Sequence, residues 1–224
     1  MTRFVKQNGL TLGFGLIFLL ALVGQAVSGV AEFNHQQVVQ GGDPVSLLQY
    51  VTSSDFAVDV SENWQSEYLQ FFLLVLGTVW LAQKGSPESK KLGKAGVESG
   101  QEQKVGRHAQ ADSPLWARVG GLRTAVYTNS LGLLMGGIFV LSWLVQSVAG
   151  QAAYNAQRLA QREDAVSWLG YATSADFWNR TLQNWQSEFL AVASMAAFSV
   201  YLRQRGSPES KPVGAPHEAT GVEG

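Results

Sequence analysis

Four stretches of the chain are free of charged side chains and largely apolar: residues 9–31, 68–83, 124–157 and 189–202. The first and third exceed the roughly 20 residues a helix needs to cross a bilayer core of about 30 Å. The second and fourth hold 16 and 14 uncharged residues, bounded by Glu67 and Lys84 and by Glu188 and Arg203. At 1.5 Å per residue they reach only about 24 and 21 Å, so they cross only with help from their polar ends. Between the runs the pattern is polar and broken. Gly41-Gly42-Asp43-Pro44 interrupts the first polar segment, Val45–Tyr50 follows as a short amphipathic helix at the membrane surface, and Thr52–Phe56 offers N-cap groups to the next helix.

The pattern is duplicated. Asn63-Trp64-Gln65-Ser66-Glu67 recurs as Asn184-Trp185-Gln186-Ser187-Glu188, and the same offset relates Asn8 to Asn129, Asp55 to Asp176 and Lys84–Lys90 to Arg205–Lys211. The duplication also argues against a cleaved signal peptide at residues 1–31, since its counterpart lies in mid-chain. Gly9 and Gly13, and Gly132 and Gly136, have the spacing that lets membrane helices pack closely, which would bring the first and third spans together. The fold expected is an all-α membrane protein whose four transmembrane helices form two tandem hairpins of the same orientation, with short amphipathic outer helices. Residues 1–93 form the first repeat, with spans near 10–31 and 65–83. A flexible connector occupies 94–120, the second repeat occupies 121–211 with spans near 124–150 and 186–203, and 212–224 is a disordered tail.

Charge sets the orientation. Lys and Arg number two before residue 9, eight in 84–123 and three from 203 onward, against none in the first outer segment and three in the second. By the positive-inside rule both termini and the connector face the cytoplasm. Trp64 and Trp185 then anchor the outer interface, Trp80 and Tyr201 the inner one. Lys/Arg-Gly-Ser-Pro-Glu-Ser-Lys closes each repeat as a helix stop and turn.

Candidate chemistry is sparse. Asn63, Glu67 and Gln70 share one helical stripe. With Gln25 and Asn34 they suggest a polar membrane cluster, Gln25, Asn34, Asn63 and Glu67, with its twin Gln146, Asn155, Asn184 and Glu188. Such a cluster joins helices through hydrogen bonds, binds a cation or proton, or forms an outer-surface site for a lipid or partner. Cysteine is absent, and His35, His108 and His217 lie in separate loops, so no metal site, cofactor or catalytic centre is expected. The basic residues form no nucleic-acid patch. The partners expected are the bilayer and either a second copy or another membrane protein.

The motifs Asn8-Gly9-Leu10-Thr11, Asn-Trp-Gln-Ser-Glu-Tyr/Phe-Leu and Gly-Ser-Pro-Glu-Ser-Lys, with the tail Lys211–His217, resemble a family of small bacterial inner-membrane proteins classed as a domain of unknown function. The likeness covers about 8–90 and 129–217. The architecture leads us to expect a multi-pass protein of the cytoplasmic membrane, structural or regulatory in role, with a small ion or proton carrier using Glu67 and Glu188, or a lipid- or partner-binding module, as the alternatives; the resemblance adds the bacterial inner membrane. It implies no activity.

Overall fold

The computed structural model describes residues 3–223; Met1, Thr2 and Gly224, the outermost positions of the expected first repeat and tail, lie outside them. The described chain is all-helical: α1 (Arg3–Gln7), α2 (Gly9–Val39), α3 (Leu47–Val51), α4 (Ser54–Trp80), α5 (Leu115–Arg118), α6 (Gly121–Thr128), α7 (Ser130–Ala160), α8 (Trp168–Ala172) and α9 (Ala175–Tyr201), with a 3-10 turn at Gly106–His108. Two helices, α2 and α7, are long and apolar enough to cross a membrane.

The helix boundaries differ from the hydropathy boundaries for local reasons. Asn8 separates α1 from α2: its side chain donates to the Phe4 carbonyl at 2.9 Å and its own carbonyl accepts from Leu12 N–H at 2.9 Å. Asn129 repeats this between α6 and α7, donating to Ala125 at 2.8 Å and accepting from Leu133 N–H. The span expected as one helix from 124 is thus broken at Asn129. At the other end, α2 continues past Ala31 to Val39 and closes in a Schellman turn, with Gly42 N–H on the Gln37 carbonyl at 2.8 Å and Gly41 in the left-handed region at φ 80°. The second repeat builds the same turn, Glu163 N–H donating to Arg158 at 2.8 Å, with Arg162 at φ 63° where the first repeat has glycine.

Short caps carry the chain into the next long helix. Ser46 and Gln49 make a capping box on α3, and Ser167 accepts from Gly170 N–H on α8. Ser53 then accepts from Phe56 N–H at 3.3 Å, and Ser174 from Phe177 N–H at 3.2 Å, which starts α4 and α9 about eleven residues before the spans expected at 65 and 186. Those helices end at Trp80 and Tyr201, two or three residues early, because the following turns take over their last backbone groups.

The long-range contacts fall into two compact groups that cut across the repeats: residues 3–61 with 144–177, and 62–143 with 178–223. In the first group a tyrosine is the core of each repeat. Tyr50 is buried between Phe33 and Phe56, with ring centroids 5.5 Å away on both sides, and Tyr171 between Tyr154 and Phe177 at 5.4 and 5.6 Å. Each ring rests on a helical glycine. A Cβ on Gly29 or Gly150 would lie 2.9 Å from the ring carbons of Tyr50 or Tyr171.

In the second group Gly136 receives the Phe72 ring and Gly132 the Leu76 side chain, both from α4. The small residues of α7 make room for large ones. Trp143, Trp178, Trp185 and Phe189 form the aromatic centre of this group, with centroids 6.1–6.5 Å apart.

Candidate functional site

The eight polar residues singled out from the sequence divide into three kinds. Asn34 and Asn155 hold the outer loops: Asn34 donates to the Val45 carbonyl at 2.9 Å and accepts from Val45 N–H at 2.7 Å, and Asn155 treats Val166 identically at 3.0 and 2.9 Å. These amides replace the strand or helix partners that an extended residue would otherwise lack. Gln25 is half-buried and Gln146 fully buried on their helices. Asn63 and Glu67 are exposed on α4, while Asn184 and Glu188 are half-buried on α9.

The face of α4 that turns inward is therefore not the Asn63–Glu67–Gln70 stripe. Val58, Ser61, Gln65 and Leu69 are buried instead, at steps of three and four residues, and the charged stripe stays outside. Gln65 has no exposed surface and its Oε1 accepts from Trp185 Nε1 at 2.8 Å, so the first copy of the motif is joined to the second. Arg180 pairs with Glu62 at 3.1 Å one turn away. Ser66, buried beside Gln65, donates its hydroxyl to the Asn63 carbonyl at 2.9 Å, and the Glu67 carboxylate is near enough to Glu188 to repel it.

The contact is not reciprocal: Gln186, the counterpart of Gln65, is exposed. Identical pentapeptides thus present different faces, and Trp185, expected as an interfacial anchor, spends its N–H on protein. Trp64, Trp80 and Tyr201 are exposed, and the Tyr201 ring packs at a tilt against His217, with centroids 5.5 Å apart. Sequence reasoning missed Gln65, Arg180 and Glu62. The available signal was the helical register of Val58, Ser61, Gln65 and Leu69 itself.

The closing motifs form a second polar region. Ser89 Oγ accepts from Gln83 N–H at 2.8 Å and donates to the Lys90 carbonyl, and Ser210 Oγ does the same for Gln204 and Lys211, so each serine terminates its helix. Lys211 is buried, with its ammonium on the carbonyls of Pro216, His217 and Ala219 at 3.3, 2.8 and 3.3 Å; burial and the nearby Arg203 lower its pKa. The tail residues that enclose it also bind the first motif, through Thr220 Oγ1 on Gly85 N–H at 2.8 Å and Glu218 on Lys84 at 3.0 Å. Among the described residues no cluster of three metal-ligating side chains forms.

Among the described residues the chain is all-helical, with two helices long and apolar enough to cross a bilayer, and that defines its class. The chain belongs to the family described as a domain of unknown function, DUF6766, whose model matches residues 1–222. No curated protein and no solved structure matches it.

Proposed function

We propose that the protein is a non-catalytic, four-span component of the bacterial cytoplasmic membrane, structural or regulatory in role, with both termini and the connector inside. The observation that carries the reading is α2. Leu10, Leu12, Phe14, Leu16, Ile17 and Leu20 are 42–77% exposed around its circumference, and such a surface is soluble only in lipid or against an apolar partner. Support for α4 and α9 as the other two spans comes from their length, 27 residues each or about 40 Å. The Gln65–Trp185 bond supplies an internal partner of the kind that polar groups need below the headgroups. The chain should stay with the membrane after alkaline carbonate washing. Release into the supernatant would remove the reading.

The proximity of Glu67 and Glu188 favours a second reading, a small cation or proton carrier. Flux into liposomes tests it. If Glu67→Gln with Glu188→Gln leaves a pH- or ion-dependent flux unchanged, these acids are not its sites.

A further inference from the structure

A cavity of about 670 Å³ runs alongside α4 and α9, and one of its ends reaches the two closing motifs. That volume is within the usual range of small-molecule sites, roughly 300–1,000 Å³. Its walls are apolar: Leu73, Leu74 and Gly77 from α4, and Phe189, Val192 and Met195 from α9. Thr78 and Ser199, which also line it, satisfy their hydroxyls on carbonyls of their own helices, Leu74 at 2.7 Å and Ala196 at 3.3 Å. From Gln70 to Leu81 the lining extends eleven residues, about 16 Å along the helix axis. The space is long, narrow in chemistry and greasy.

The end beside the motifs is acidic. Glu88 and Glu209, at matching positions of the two closing motifs, both line it as exposed carboxyls at its mouth. No Lys, Arg or His lines the cavity. The motif lysines are committed elsewhere: Lys84 to Glu218, Lys90 to Glu98 and the Gly96 carbonyl, Lys211 to three tail carbonyls. An apolar channel that ends in two carboxyls without a basic partner selects against phosphate and carboxylate heads and in favour of a cation.

We propose that this cavity binds a single-chain amphiphile with an ammonium-type head, its chain along Leu73, Leu74, Val192 and Met195 and its head against Glu88 and Glu209. The site uses α4, α9 and the motif loops alone, so it does not depend on the membrane topology. The hydrogen bond to Glu209, then burial, then repulsion from Glu209 and Glu223, raises the Glu88 pKa to about 7. Two carboxyls bonded in this way share one proton, which an ammonium head would displace. Binding and proton release are therefore linked.

The test is calorimetric titration of the full chain, in non-ionic maltoside micelles, with octylammonium chloride and separately with octanoate. Octylammonium should bind the native chain at least tenfold more tightly than the Glu88→Gln, Glu209→Gln variant, while octanoate shows no such difference. Between pH 5 and 7 its affinity should rise by up to about tenfold per pH unit and then level off, because the displaced proton is lost above the shared titration. Ala196→Phe, which fills the cavity and keeps both acids, should also lose the octylammonium site, and it serves if the double variant fails to fold. Equal affinity in the native chain and in either variant, or octanoate binding as tightly as octylammonium, overturns the proposal.

Discussion

Gly150 and Tyr171 belong to different helices, yet neither can change alone. Replacing Gly150 with Ala places a methyl 2.9 Å from the ring carbons of a tyrosine that is 1% exposed, so the ring must leave its slot between Tyr154 and Phe177. Gly150→Ala should cost about 1–3 kcal/mol, read as a lower thermal midpoint in detergent; an unchanged midpoint would mean that the ring is loosely held. At Arg162 the opposite change helps. A non-glycine residue in the left-handed region is strained by roughly 1 kcal/mol, so Arg162→Gly should raise the midpoint modestly by completing the turn Gly41 already makes. Asn34→Asp keeps the acceptor for Val45 N–H but removes the donor to its carbonyl, and should lose about 1–3 kcal/mol with faster local hydrogen exchange in the outer loop. The asparagines were legible in the sequence as a matched pair. Their partner was not, because Val45 and Val166 contribute only backbone.

For whole elements, hydropathy located the helices and missed their ends, which are set by single polar atoms: Asn8 and Asn129, Ser53 and Ser174, Ser89 and Ser210. The inward face of α4 was misread for a related reason. Asn63, Glu67 and Gln70 make a conspicuous polar stripe, but desolvating a carboxylate is costly, and the buried polar position went to the neutral Gln65, which Trp185 satisfies. Composition likewise gave no sign that residues 212–223 would enclose Lys211. Lys211→Met removes three charge-assisted bonds, and limited proteolysis should then cut within the tail, where the native chain resists. The joined motifs should also respond to pH. Because the Glu88 pKa is raised in the folded state, the Glu88–Glu209 contact stabilises the loops fully below the ordinary carboxyl range and is lost as pH rises through about 7. The thermal midpoint should accordingly fall between pH 5 and 8, and Glu88→Gln should flatten that fall.

For the whole molecule, Asn8 and Asn129, Asn34 and Asn155, Ser89 and Ser210, and the buried Tyr50 and Tyr171 make corresponding contacts, a correspondence legible in the sequence. How the repeats use each other was not. The two copies of Asn-Trp-Gln-Ser-Glu are identical, and only packing makes Gln65 buried and Gln186 exposed. The number of spans is the central claim. Since the chain has no cysteine, single cysteines placed at Gly41, Lys94, Arg162 and Gly214 can be labelled with an impermeant maleimide in intact spheroplasts. A four-span protein with its termini inside labels at 41 and 162 from outside, and at 94 and 214 only after the membrane is opened. Labelling at 41 and 94 together from outside, with 162 and 214 protected, would mean that α2 and α7 alone cross, and would contradict the account.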